Sequence, residues 1–192
     1  MAAGAPALSL RPVVDQDRAF LLRVYASTRA EELAPVPWTD AEKADFVAAQ
    51  FAAQDAAYRA NYRWPAFDVI CVDGVEAGRL YLDRHPDDIR IMDIALLPEY
   101  RGRGVGGRLL RSVQAEGRAT GRRVSIHIER FNPARRLYER LGFAVVDEGD
   151  VYLRMEWLPA LNASGEDGLV GDAADRRVGA EGDEECGAWE EP

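Results

Sequence analysis

A chain of 192 residues with 47% hydrophobic side chains can build one domain with a sizeable core, and it is too short for several. No apolar run reaches the ~18 residues of a membrane span, and Met1-Ala2-Ala3-Gly4-Ala5-Pro6-Ala7 lacks the charge and apolar core of a signal peptide. The net charge of −9 is uneven: residues 1–158 hold 23 acids against 22 bases, hence −1, and residues 159–192 hold 10 acids against 2 bases, hence −8.

That partition sets the expected organisation: a folded domain over 8–158 and an acidic, disordered tail over 159–192. A solvated extension is the plain reading of the tail, and Trp189 keeps a partner-binding role open. The domain is not basic overall and its arginine clusters are local, so no nucleic-acid partner is indicated. Cys71 falls in a predicted buried strand and Cys186 in the polar tail, which speaks against a disulfide and for a reducing, cytoplasmic compartment. No His/Cys/Asp cluster has metal-ligand spacing, so no metal is expected.

In chain order, Leu8 to Val14 reads as a first strand and Asp15 to Leu33 as a helix with Phe20, Leu21 and Val24 on one face. Pro35-Val36-Pro37-Trp38 breaks the chain. Thr39 with Glu42 forms a capping box for a second helix running to about Asn61. Phe67 to Val72 and Ala77 to Leu82 form a hairpin through Asp73-Gly74. After the turn Arg84 to Asp88, a strand covers Ile89 to Leu97 and a helix residues 104–120. A strand over 123–129 and a helix over 133–141 come next. Two strands, Ala144 to Asp147 and Val151 to Trp157, close the domain. A meander followed by this alternation implies an α/β (α+β) fold with a mixed sheet and helices on both faces.

The most informative stretch is Arg101-Gly102-Arg103-Gly104-Val105-Gly106-Gly107-Arg108, set between a strand and a helix. Glycine lets backbone N–H groups approach a ligand, and a helix N-terminus carries partial positive charge, so the loop suits a phosphate or pyrophosphate. A P-loop needs a lysine here, and the only lysine is Lys43. A dinucleotide fingerprint fits only with its third glycine displaced, and the acid it wants about 20 residues on is replaced by basic Arg122-Arg123. The pattern Arg-x-x-Gly-x-Gly fits directly as Arg101, Gly104 and Gly106.

A second segment runs Val124 to Phe143. Val124, Ile126 and Ile128 alternate with Ser125, His127 and Glu129, giving a strand with two unlike faces. Asn132 offers an N-cap and Pro133 suits the first helical position. Leu137, Tyr138 and Leu141 share a helical face, and Gly142 ends the helix.

Together the two segments resemble the GNAT N-acetyltransferase superfamily: the first its acetyl-CoA loop, the second its Asn, Ala, Leu-Tyr, Gly-Phe signature. The six-residue step from Asn132 to Tyr138 is one shorter than many members carry. The resemblance implies a mostly antiparallel central sheet splayed between strands four and five. It implies acetyl-CoA as co-substrate, held by Arg101, Gly102, Arg103, Gly104, Val105, Gly106, Gly107 and Arg108, by the strand-four positions Ile94, Ala95 and Leu96, and by Asn132. It further implies an N-acetyltransferase moving an acetyl group to a primary amine by direct attack, with Tyr138 protonating the departing thiolate. A core tyrosine with an ordinary hydrogen bond is the other reading of Tyr138.

The attacking amine must be neutral, so a base or a water chain accepts its proton. Asp93, His127 and Glu129 are the candidates, and His127 needs least tuning near neutral pH. Each also fits a structural role. In the family the wall opposite coenzyme A comes from the first two helices, which here offer Glu31, Glu32, Trp38, Tyr58, Tyr62 and Trp64. Aromatics with acids suit a cationic amine; they suit a core or a homodimer contact equally. The competing reading is a non-catalytic acyl-CoA-binding or sensor domain.

Overall fold

The computed structural model describes residues 6–160. The expected tail lies outside them from residue 161 onward, and with it Cys186 and Trp189. The described chain runs β1 (Leu8–Pro12), α1 (Arg18–Leu33), α2 (Asp40–Asn61), β2 (Pro65–Val72), β3 (Val75–Arg84), β4 (Asp88–Leu96), α3 (Val105–Thr120), β5 (Arg123–Glu129), α4 (Arg135–Arg140), β6 (Ala144–Glu148) and β7 (Tyr152–Trp157).

Local chemistry sets many of these boundaries. The Thr39 hydroxyl accepts from Glu42 N at 3.3 Å and the Glu42 carboxylate accepts from Thr39 N at 2.8 Å, so the capping box starts α2 as the sequence predicts. Asp73 and Gly74 take φ of +51° and +80°, the left-handed pair that a two-residue hairpin requires. Two starts differ from expectation. A 3-10 turn, Asp15–Asp17, precedes α1. Asn132 does not cap α4: its side-chain oxygen accepts from Ala134 N at 2.8 Å, closing a small turn, and the helix begins at Arg135.

The seven strands lie in the order β1-β2-β3-β4-β5-β7-β6. All neighbours are antiparallel except β4 and β5. That parallel pairing is short, from Asp88↔Arg123 to Ile91↔Ile126. Beyond it, Met92–Leu96 of β4 and His127–Glu129 of β5 run on unpaired with each other, which is the expected splay. The break coincides with a bulge: β4 pairs Ile91 with Leu82 and Asp93 with Tyr81, leaving Met92 as the extra residue. A bulge bends its strand and increases local twist, so β4 turns away from β5 there.

Each sheet face carries its own core. On one, Leu80, Leu82, Ile89 and Ile91 pack with Leu109, Leu110 and Val113 of α3 and with Tyr138 of α4. On the other, Val69, Cys71 and Ala95 pack with Phe20 and Val24 of α1 and Val47 and Phe51 of α2. The splay therefore opens between two independently anchored layers.

Candidate active site

The glycine loop joins the end of β4 to α3. Gly102 and Gly104 adopt φ of +70° and +78°, a region that side chains disfavour. Gly104 is the N-cap of α3, with no side chain bonded over the helix end. The first intrahelical bond is Arg108 N to Gly104 O at 3.1 Å, so the amides of Val105, Gly106 and Gly107 have no acceptor within the helix. Leu137 of α4 lies 3.7 Å from where a β-carbon of Gly106 or Gly107 would stand, which brings the start of α4 against this helix end.

The arginines of the loop divide. Arg101 Nε donates to Leu96 O at 2.7 Å, and its Nη2 donates to Ser27 O at 3.1 Å and Ser27 Oγ at 2.9 Å. Arg101 thus ties the end of β4 to α1. Arg108 Nη1 donates to Pro6 O at 2.6 Å. Arg103 is exposed and has no partner among the described residues. Next to the loop, Arg130, Asn132, Arg135 and Arg136 surround Phe131, which is 92% exposed, in an open depression of about 360 Å³.

The splayed end of β4 presents backbone groups to the gap. Leu97 N donates to Ala77 O at 2.9 Å, so Leu97 faces β3. Strand alternation then turns the backbone groups of Ile94 and Leu96 away from β3, into the gap, and those of Ala95 toward β3. Leu96 O is taken by Arg101, which leaves the amides of Ile94 and Leu96 and the carbonyl of Ile94.

Four side chains expected at the reacting centre surround this gap. Asp93 lies on the α2 side. Its Oδ2 accepts from Arg79 Nη2 at 2.6 Å and from the Tyr58 hydroxyl at 3.5 Å. Its Oδ1 has no partner among the described residues. Tyr138 enters from the α4 side, its ring set edge-on to Phe143 at 5.7 Å and only 4% of the residue exposed. Burial, with a contribution from the Asp93 charge, holds its hydroxyl well above the usual tyrosine range.

His127 and Glu129 share the α2-side face of β5, and both are exposed. His127 Nδ1 lies 2.9 Å from Arg90 Nη2. Crowding around the ring, then the guanidinium charges of Arg90 and Arg154, lower its pKa to about 4 although one edge stays open to water. The ring is neutral at pH 7, its Nδ1 lone pair taken by Arg90. Among the described residues no group of three His, Cys, Asp or Glu side chains is gathered as a metal ion would require.

Residues 64–145 match the family model described as an acetyltransferase (GNAT) domain. Over that segment the chain is similar to GNAT acetyltransferases. The matched segment runs from β2 through α4 and so includes β4, the glycine loop, α3 and β5 around the gap. Solved structures share the GNAT fold. The PaiA N-acetyltransferase of Thermoplasma acidophilum, in complex with coenzyme A, is 17% identical with a TM-score of 0.61, covering 79% of this chain and 99% of its own. An acetyltransferase of Thermus thermophilus is 19% identical with a TM-score of 0.59, covering 80% and 98%. No curated protein matches the sequence.

Two residues of this site lay outside the sequence reading. Arg79, on β3, is 2% exposed and stacks near the rings of Tyr25 and Tyr81 at 5.6 and 5.3 Å. Arg90, on β4, lies under Tyr62 at 5.9 Å. An arginine in a strand reads as a solvent-facing alternate, and only tertiary packing reveals otherwise. Of the proposed acceptor wall, Tyr58 and Tyr62 stand over β4, while Trp38 packs on Phe46 and Trp64 on His85.

Proposed function

We propose that the protein transfers an acetyl group from acetyl-CoA to a primary amine by direct attack. The observation that carries this reading is the gap itself: unspent amides of Ile94 and Leu96 lie beside a glycine-capped helix end, with Tyr138 in the α3-side layer and Asp93 on the α2 side of the sheet. In this reading, the free amides at the start of α3 and those of Gly102 to Gly104 receive the pyrophosphate, as helix N-termini and positive-φ loops do. Arg103 and Asn132 add contacts beside it. Arg101 and Arg108 act at one remove, by fixing the end of β4 and the N-terminal segment around the loop.

The Ile94 amide donates to the thioester carbonyl, and the bond strengthens as the oxygen gains charge. The amine nitrogen attacks the carbonyl carbon and the C–S bond breaks. Tyr138, kept protonated by burial, gives its proton to the departing thiolate. Asp93 Oδ1 accepts the proton lost by the amine, directly or through water, and Glu129 is the outlet to solvent. His127, with Nδ1 engaged, serves as an Nε2–H donor.

We assign this chemistry to residues 8–158, place the protein in the cytoplasm on the strength of its buried free Cys71, and assign 159–192 no part in transfer. No described helix is long and apolar enough to cross a membrane. The test is release of coenzyme A over a panel of amines. Turnover with any of them supports the reading; binding of acetyl-CoA with no release from any amine assigns the chain to the acyl-CoA-binding sensors.

A further inference from the structure

The floor of the site holds one cation that no described carboxylate contacts directly. Arg90 rises from β4 onto the α2 side, half-buried, under the Tyr62 ring. Its one hydrogen bond goes to Nδ1 of His127, a neutral partner. Other arginines on this face have acids: Arg79 has Asp93 at 2.6 Å, and Arg154 has Glu156 at 2.5 Å. Asp88, the nearest carboxylate along the strand, accepts from Ser125 Oγ at 2.6 Å and has Arg123 at 3.7 Å. Among the described residues no carboxylate pairs with Arg90. Asp83, opposite Arg90 on β3, is held by His85 and Trp64 N, and the charge of Asp88 is felt by Arg90 without direct contact, so the guanidinium keeps free N–H groups suited to a carboxylate.

Its position matters as much as its charge. Arg90 and Asp93 stand on one face of β4, on either side of the Met92 bulge. Tyr62, the first residue beyond α2, covers the first and Tyr58, in the last turn of α2, the second, with ring centroids at 5.8 Å. Three residues of strand span roughly 10 Å at most. That is the reach of a short molecule with an anion at one end and an amine at the other, plus its two polar contacts.

We propose that Arg90 is a carboxylate subsite, and that the acceptor is an amine that also carries a carboxylate, as a free amino acid does. This rests on the transferase reading for what happens to the amine, but not for the carboxylate contact itself. The acceptor lies along β4 with its carboxylate on the N–H groups of Arg90 that His127 leaves free and its amine toward Asp93 Oδ1. His127 orients the guanidinium through Nη2 and offers Nε2–H as a further donor.

The test pairs acceptors that differ only in charge: amino acids against their α-carboxamides, and aspartate and glutamate against asparagine and glutamine. Coenzyme A release is measured for wild type, Arg90→Met and Arg90→Lys, with melting temperature and acetyl-CoA affinity as controls of folding. We expect at least a tenfold preference in kcat/KM for the carboxylate member of one pair. Arg90→Met should bring that ratio to within threefold of one, and Arg90→Lys should keep part of it. Equal turnover of both members, or a ratio unchanged in Arg90→Met, overturns the proposal and leaves the transferase reading standing. If no amine turns over, the same pairs are titrated calorimetrically into protein loaded with coenzyme A. Binding that needs both the carboxylate and Arg90 then keeps the proposal and retires the transferase reading. Equal or absent binding of both members overturns it.

Discussion

Arg79 grips Asp93 across the β3–β4 pair at 2.6 Å, with 3% and 14% of the two side chains exposed. Such a pair adds little over an apolar pair of the same shape, but removing one partner strands a charge. Arg79→Met should therefore cost about 3 kcal/mol, read as a lower urea midpoint, and the double variant Arg79→Met/Asp93→Leu should recover part of it. A single variant as stable as wild type would mean that Asp93 is solvated in the native state.

Tyr138→Phe keeps the ring against Phe143 and removes only the hydroxyl. A positioned general acid contributes roughly 10²–10⁴-fold. Turnover with a saturating acceptor should fall at least tenfold while acetyl-CoA affinity changes little, because the hydroxyl matters most as the thiolate leaves. Wild-type turnover would return Tyr138 to a packing role and leave water as the proton donor.

Gly104 has open space around a notional β-carbon, so crowding within the fold is not its constraint; its φ of +78° is. A valine there meets about 1–3 kcal/mol of backbone strain and shields the free amides of α3. Gly104→Val should lower acetyl-CoA affinity at least tenfold by calorimetry while the far-UV spectrum is retained. Unchanged affinity in the folded variant would remove this loop from the binding site.

His127 links stability to pH. The unfolded chain protonates it near 6.5 and the fold near 4, so between these values the unfolded state holds more protons. Stability from this group is therefore intact above pH 6.5 and declines as the pH falls toward 4. His127→Gln should flatten the loss of unfolding free energy between pH 6.5 and 4 relative to wild type. Parallel curves would show that the imidazole is as free in the fold as in the unfolded chain.

The acidic extension is expected to be dispensable. Residues 159–192 hold 10 acids against 2 bases and little apolar surface. Cutting after Ala160 should leave acetyl-CoA affinity and melting temperature near those of the full chain, and a drop of several degrees at equal concentration would contradict this.

What the sequence made legible was local. The Thr39–Glu42 box, the Asp73-Gly74 turn and the glycine loop are each set by a few neighbouring residues, and each lies where the pattern puts it. What it hid was long-range. The insertion of β7 between β5 and β6 depends on strand pairing that alternation does not encode. The motif led us to expect Arg101 on the cofactor, yet its side chain folds back on Leu96 and Ser27, because the splay leaves a strand carbonyl and a helix carbonyl within its reach. Arg79 and Arg90 gave no signal, since burial of a strand arginine is decided by helices elsewhere in the chain.

The extra residue at Met92 works as a change of phase in β4. Ile89 and Ile91 upstream and Ile94 and Leu96 downstream all face the α3 layer, an assignment that strict two-residue alternation forbids across an odd step. Because Met92 is taken up as a bulge, the residues after Ile91 keep their faces; with Met92 in regular register instead, Asp93 would enter the apolar α3 layer and Ile94 would meet Arg79. The bend at that residue thus lets a single strand pair with β5 over its first half and border the gap over its second. A lone insertion or deletion between Asp93 and Leu97, where no bulge absorbs it, would move every later side chain to the other layer.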